Sequence, residues 1–325
     1  MIMNGRRRLL ALAALGAVRA FGQAPRFPRR IVILEQWHST SPSTPALRLV
    51  AELDALGHRE GRDIAYEWRH PAGDRERLAR YAQEIAASSP DAIVAMGGIS
   101  TRAIADSAKS IPILAWVDDP VRAGLASVAM MPTGNVTGFA DQGELRLHKA
   151  LELLKAIIPG FRRFGVVEPA GNAFAREVTL QLASVAATLG VEVVPARFTD
   201  RNGIEAALSG FAKSGVRAAL VWPSPVIMTL GEVVAAATRH GIALVGEGQG
   251  ARYGVLLAFS PEIDARRLAV QLDKILRGVP VASIPFELPE KFVLEINRKT
   301  ALALQVTIPP EIYLRATRVF DDWAK

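Results

Sequence analysis

The sequence predicts an α/β protein built from two doubly wound parallel-sheet lobes joined by a hinge of three chain crossings. Three observations carry this. Short β-branched or apolar runs alternate with longer alanine-rich stretches of helical periodicity from residue 31 onward. The alternation breaks around residues 124–138 and then resumes for a second set of similar size. The last stretch, beyond residue 259, carries a further helix and strand that can return to both sheets.

Taken in order, Ile31–Glu35 reads as a buried strand. Ala46–Leu56 follows as a helix, with Leu47, Val50, Leu53 and Leu56 at helical spacing and Gly57 as its stop. Asp63–Trp68 is the next strand, Asp74–Ser88 a helix and Ala92–Met96 a strand. Ser100–Lys109 is a helix, and Ile113–Val117 a strand. The second set begins with the helix Leu145–Ile158, closed by Pro159-Gly160, and the strand Phe164–Val167. Helix Phe174–Leu189, strand Val191–Ala196, helix Gly203–Lys213 and strand Ala218–Trp222 continue it. Helix Ile227–His240 and strand Ala243–Val245 end it. Val255–Phe259 is a further strand, Pro261–Arg277 a helix ended by Gly278, and Phe292–Ile296 a strand in a proline-punctuated tail. The expected partition is residues 28–140 with 259–283 in the first lobe, and 141–258 with 284–325 in the second.

The amino terminus stands apart. Arg6-Arg7-Arg8 precede the ten apolar residues Leu9–Val18, which as a helix span about 15 Å, half of a hydrocarbon core. A basic start, a short apolar run and the small residues of Ala20-Phe21-Gly22 read as a secretory signal peptide over residues 1–22, cleaved before Gln23. Arg6-Arg7-x-Leu9-Leu10 also fits a twin-arginine export signal. The chain has no cysteine, which excludes disulfides, thiolate metal sites and a lipid-anchored cysteine together. The expected product is a free periplasmic protein.

The formal charge of +7 points first to an anionic partner, but four arginines sit in the first 22 residues, where there is no acid. Without them the charge is +3, spread along the chain. A nucleic-acid partner therefore loses most of its support.

Ligands of doubly wound sheets lie beyond the carboxyl ends of the strands. Those ends are Gln36–Ser43, Gly97–Thr101, Asp118-Asp119-Pro120, Glu168–Ala173, Trp222–Pro225 and Gly246–Gly250. The sharpest local signal is Met96-Gly97-Gly98-Ile99-Ser100-Thr101. Two glycines between a buried strand and a helix free backbone N–H groups, and Ser100 or Thr101 is expected to cap a helix whose positive end favours a carboxylate or phosphate. A plain tight turn is the competing reading. Asp118 is placed to accept from a ligand amine or hydroxyl, and Asp119 before Pro120 reads as a turn former. Trp37, Trp68, Trp116 and Trp222 fall at or beside strand ends, where stacking on a ligand competes with core packing.

Enzyme and cofactor patterns fail. Gly98-Ile99-Ser100-Thr101-Arg102 resembles a nucleophile elbow but has Arg102 where the sharp turn needs glycine. Gly246-Glu247-Gly248-Gln249-Gly250-Ala251 formally fits a dinucleotide fingerprint, yet a strand follows where the pyrophosphate needs a helix. The five histidines have no metal-ligand spacing. No cofactor and no catalytic set are expected.

Several dispersed stretches resemble one family in the right order. They are Leu56-Gly57-His58-Arg59-Glu60-Gly61-Arg62-Asp63-Ile64, Ile111-Pro112-Ile113, Asp119-Pro120-Val121 and Gly134-Asn135-Val136-Thr137-Gly138. Asp273-Lys274-Ile275-Leu276-Arg277-Gly278, Lys291-Phe292-Val293-Leu294-Glu295-Ile296-Asn297, Lys299-Thr300-Ala301 and Thr307-Ile308-Pro309-Pro310 follow. Together they resemble the extracytoplasmic substrate-binding proteins of ABC transporters, in the group that includes tryptophan- and tyrosine-binding members. The resemblance implies a type I periplasmic binding fold, a small polar solute between the lobes and a membrane permease as partner.

The sequence departs from the family on the ligand side. Its first-strand loop is Gln36-Trp37-His38-Ser39-Thr40-Ser41-Pro42-Ser43, and Glu168-Pro169-Ala170-Gly171-Asn172-Ala173 and Phe259-Ser260-Pro261-Glu262 stand where the family has other residues. An aromatic preference therefore does not transfer. The expected site takes an amino acid or similar carboxylate. Gly97, Gly98, Ser100 and Thr101 hold its anionic group, and Asp118 takes its amine. Trp37, Ser39 and Thr40 line the first lobe, and Asn172, Ser224 and Glu247 close from the second. The protein is expected to be a monomer, because docking needs both lobes free. The rival readings are a ligand sensor for a receptor and an exported serine hydrolase using Ser100.

Overall fold

Sheet formation follows the apolar runs. In the computed structural model of the chain, which describes residues 28–36, 42–222, 228–262 and 264–324, β1 (Arg29–Glu35) pairs in parallel with β2 (Ile64–Arg69) and with β3 (Ala92–Met96). β4 (Ile113–Val117) and β5 (Val136–Ala140) complete a five-stranded parallel sheet of order β2-β1-β3-β4-β5. Every residue of β3 is buried, as a parallel sheet covered on both faces requires. Successive side chains alternate between the faces. Ile31 and Ile33 join the core under α1 (Thr44–Ala55), whereas Val32 and Leu34 join the core under α2 (Arg75–Ser88) and α3 (Gly98–Ser107).

The second sheet holds seven strands in the order β12-β11-β10-β9-β8-β6-β7. Its parallel part is β6 (Arg163–Pro169), β7 (Glu192–Phe198), β8 (Ala218–Val221), β9 (Ala243–Gly246) and β10 (Leu257–Pro261). β11 (Phe292–Asn297) pairs antiparallel with β10, and β12 (Arg318–Phe320) parallel with β11. Around it lie α4 (Gly143–Ile157), α5 (Ala173–Thr188), α6 (Arg201–Lys213) and α7 (Leu230–Arg239). A sixteen-residue helix such as α5 starts cleanly because Asn172 accepts from the N–H groups of Phe174 (2.8 Å) and Ala175 (2.9 Å). Two short helices, α9 (Arg298–Ala303) and α10 (Pro310–Arg315), follow α8 (Ala265–Leu276) and β11.

The chain passes between the sheets three times. It leaves the first sheet after β5. It returns after β10, and α8 packs Leu268, Ala269, Leu272 and Ile275 under the first sheet beside α1. It leaves again after residue 287, where Glu287 bridges Phe139. The crossings are offset from those expected from sequence. Residues 259–261 finish β10 in the second sheet, and Ile284 and Phe286 still pack on the first. The reason is that Glu287 N–H donates to the Gly138 carbonyl (2.8 Å) and its own carbonyl accepts from Ala140 N–H (2.9 Å), which carries the strap 284–287 along the edge of β5.

The two units touch beyond these crossings. Phe174, at the start of α5, is 3% exposed and packs into the first unit's core under α2 and α3. Arg75 pairs with Glu177 at 2.6 Å. Among the described residues no helix is long and apolar enough to cross a membrane. The expected signal segment, residues 1–22, lies outside the described residues.

Candidate functional site

Parallel strands place their carboxyl ends on one edge of each sheet, so the loops after β1, β3, β4 and β5 form a single rim. Three polar residues and a glycine follow those strands directly: Gln36, Asp118 and Asp141, with Gly97 after β3. From the second unit, α4 contributes Arg146 and the loop after β9 contributes Glu247.

The Gly97 turn works differently from the sequence expectation. Gly97 has φ +107° and is itself the residue before α3, so Ser100 and Thr101 fall inside the first helical turn and are fully buried. Thr101 donates from Oγ1 back to the Gly97 carbonyl (2.9 Å), and Ser100 Oγ has no hydrogen-bond partner among the described residues. Neither hydroxyl caps the helix or reaches the rim. Among the described residues no base is hydrogen-bonded to Ser100. The helix N-terminus is instead occupied by Gln36, whose Oε1 accepts from the Ile99 N–H (3.1 Å). A Cβ on residue 97 would stand 2.0 Å from Gln36 Cδ, so only glycine lets that side chain lie across the turn. Gly98, half-buried, is the part of the motif that stays at the rim.

Asp118 lies directly after β4 and has a companion. Its backbone carbonyl accepts from Gln142 N–H (3.0 Å), and its carboxyl sits where a Cβ on Gly143 would be only 2.9 Å away. That closeness brings it against the carboxyl of Asp141. Asp119 forms the expected turn, accepting from Arg122 N–H (2.9 Å).

Asp141 is the centre of the cluster. It is 8% exposed; Trp116 donates from Nε1 to its Oδ2 (3.1 Å), and Oδ1 is buried without a partner among the described residues. Burial pushes its carboxyl up to about 7; Arg146 opposes the rise, and the neighbouring Asp118 adds to it. Arg146, also 8% exposed, holds a guanidinium nitrogen 3.8 Å from Asp141 Oδ2 and pairs through Nη1 with Glu247. Its Nε is buried and unpartnered among the described residues. Glu247 itself has a side chain 60% exposed.

The remaining expected residues divide. Asn172 spends its oxygen on the α5 cap and lies against Gly73 of the first unit, where a Cβ would come within 2.6 Å of its amide nitrogen. It is a contact between the units. Trp37, Ser39, Thr40 and Ser224 lie outside the described residues. The two ends of the first-strand loop are nevertheless tied, since Ser43 N–H donates to the buried Glu35 carboxylate (3.0 Å). Trp68 stacks on His70 (6.3 Å between centroids), and Trp222 packs against the second sheet's core with its Nε1 buried and without a partner among the described residues.

Sequence reasoning missed Asp141 and Arg146, and mentioned Gln36 only as the start of the first-strand loop and Trp116 only as an aromatic at a strand end. The available signal was position: Gln36 and Asp141 are the first polar residues after buried strands, as Asp118 is.

A separate cavity of about 540 Å³ lies between α1, α8 and residues 287–290. None of the rim residues lines it, and Arg267 spans it to Glu287 (2.5 Å) and Glu290 (2.7 Å). It is a charged seam rather than a ligand cradle. Among the described residues no His, Cys, Asp and Glu cluster is arranged to hold a metal ion.

Two parallel-sheet units, three crossings and a polar rim between them define a type I periplasmic binding-protein fold. Residues 49–320 match the family described as ABC transporter substrate binding protein, and the chain belongs to that family. It is similar to a tyrosine-binding protein of Clostridioides difficile (strain R20291), 25% identical over 264 residues, covering 79% of this chain and 75% of that one. Among solved structures it resembles a conserved domain protein from Vibrio cholerae, with TM-score 0.71 and 23% identity over 90% of this chain and all of that one. It also resembles an ABC domain in complex with L-Trp from Streptococcus pneumonia, with TM-score 0.68 and 21% identity over the same shares.

Proposed function

We propose that this protein captures an amino acid, or a closely similar amine-bearing carboxylate, outside the cytoplasm and delivers it to the permease of an ABC transporter. The observation that carries the ligand class is the pair of facing carboxyls, Asp118 and Asp141, at the ends of adjacent strands β4 and β5. An anion is disfavoured at Asp141, and a bound ammonium relieves that by adding a second counter-charge, beside that of Arg146, at Oδ1, which has no partner among the described residues. The relatives named for tyrosine and tryptophan support the amino acid class. Gly98 and Glu247 complete the rim, with Trp37, Ser39, Thr40 and Ser224 proposed from the adjoining loops. Residues 28–140 with 262–287, and residues 141–261 with 288–324, are proposed to act as two lobes about the crossings, with the ligand favouring closure by touching both. We propose a monomer, whose rim-side surface docks on the permease.

A thermal-shift screen of the protein beginning at Gln23 tests this. The twenty L-amino acids, sugars, nucleosides and dicarboxylates form the set, after removal of carried-over ligand by unfolding and refolding. A ligand at 100 times its dissociation constant adds about 2.7 kcal/mol, which raises the melting temperature by a few degrees. The expected result is a shift confined to amino acids. A shift with sugars or dicarboxylates and none with amino acids contradicts the reading.

A further inference from the structure

The cluster contains one cation among four polar groups, and the way it is held says what the other end of the ligand is. Arg146 is nine-tenths buried, yet its planar guanidinium, with five N–H donors, is poorly used. Nη1 meets Glu247, the nearest approach to Asp141 is 3.8 Å, beyond hydrogen-bond reach, and Nε is buried with no partner among the described residues. A buried arginine with idle donors is costly, and groups of this kind are ordinarily satisfied. Its one close partner among the described residues, Glu247, comes from the loop after β9 and keeps 60% of its side chain exposed. A solvent-facing carboxylate thus occupies a buried arginine whose fork is shaped for a carboxylate.

We propose that Arg146 is the receiver of the ligand's carboxylate and that Glu247 is its resident counter-ion, displaced on binding. This rests on the reading of the chain as an amino-acid-binding protein and adds the chemistry of the second pole. The α-ammonium faces Asp118 and Asp141 in the first lobe, and the α-carboxylate replaces Glu247 on α4. The ligand is then a zwitterion with both charges adjacent, and a bare amine or a dicarboxylate satisfies only one pole. Glu247 competes with ligand instead of binding it. Because Arg146 lies on the first turn of α4, just after the crossing from β5, the exchange takes place where the two lobes join.

The proposal assigns opposite signs to one substitution. Isothermal titration calorimetry with each of the twenty L-amino acids beside its decarboxylated amine is the test, on wild type, Glu247→Gln, Arg146→Gln and Arg146→Lys. Wild type is expected to prefer an amino acid over its amine by about 10- to 100-fold, the scale of a lost charge-assisted hydrogen-bond pair. Glu247→Gln removes the competitor, so the amino acid should bind about 3- to 10-fold more tightly while the amine weakens or stays level. Arg146→Gln should erase the preference, and Arg146→Lys, which keeps charge without the fork, should restore part of it. Melting temperatures of all four proteins separate loss of folding from loss of binding, and Glu247→Gln, altered at an exposed side chain, carries the test even if Arg146→Gln unfolds. Equal weakening of amino acid and amine by Glu247→Gln overturns the proposal, as does an undiminished preference in folded Arg146→Gln. Wild type that binds neither an amino acid nor an amine brings down the underlying reading, and this inference with it.

Discussion

Replacing Asp141 by asparagine is expected to weaken amino acid binding by about 100-fold or more at pH 8, the scale for removing one member of a buried, hydrogen-bonded charge pair. The same carboxyl sets a pH profile. Burial raises its folded pKa to about 7, so between the ordinary carboxylate value near 3.8 and about 7 the folded protein holds a proton that the unfolded chain has released. Stability from this group is therefore full below the lower value and is lost as pH rises through the upper one. Binding of an ammonium runs the other way, because it needs the ionised carboxylate. Wild-type affinity should rise as pH climbs from 5 to 7, by at most about tenfold per unit, and flatten above. The groups facing Asp141 are Asp118, Arg146 and the Trp116 indole, with Glu247 behind Arg146. Asparagine keeps an acceptor for Trp116 and cannot ionise, so Asp141→Asn should bind weakly with a flat profile. Calorimetry at several pH values checks both proteins, and a flat wild-type profile contradicts the assignment.

The second large effect is on folding. Gly138 lies in β5 opposite Ala115 of β4 with φ +145°, and a Cβ there would stand 1.9 Å from the Ala115 carbonyl oxygen. No side-chain rotation relieves a clash between backbone and Cβ, so the β4–β5 pair must part. Its own carbonyl accepts from Glu287 N–H (2.8 Å), and the neighbouring Thr137 donates to the Ile284 carbonyl (2.6 Å). Asn135, in turn, donates to the carbonyls of Ala108 (2.7 Å) and Ile111 (2.6 Å). The Asn135-Val136-Thr137-Gly138 stretch is thus a joint that fastens β5 to the strap 284–287. Gly138→Ala is expected to cost about 3–5 kcal/mol and to lower the melting temperature by roughly 10 °C. A melting temperature within 2 °C of wild type contradicts this account of the joint.

The same joint shows where sequence reading stops. The stretch was legible as a family resemblance, yet residues 124–138 read as a break, and β5 itself went unseen. Gly138 in the middle of five residues, with Gly134-Asn135 just before them, is a poor advertisement for a strand, and what makes one is pairing with β4 and with residue 287, far away in sequence. β1, β3 and β4 were plain because their runs are apolar on both faces. Short α9, α10 and β12 gave no periodicity long enough to read. At the site, Asp118 and Glu247 were legible from their places at strand ends. Ser100 and Thr101 were misassigned as caps because hydroxyls after a Gly-Gly pair look like caps, whereas Gln36, 63 residues before Ile99, fills that place. Arg146 has no local signal at all. On the sequence it is one charged residue among several on an amphipathic helix, and only the fold sets it between Asp141 and Glu247.

The central claim is that the rim at the ends of β4 and β5 receives the ammonium of a captured amino acid. A crystal structure of the protein with the amino acid that gives the largest thermal shift tests it most directly. The account predicts the ligand's nitrogen within hydrogen-bond distance of Asp118 and Asp141, with Trp116 still bonded to Asp141. A ligand seated elsewhere, with both carboxyls more than a hydrogen bond away, contradicts it.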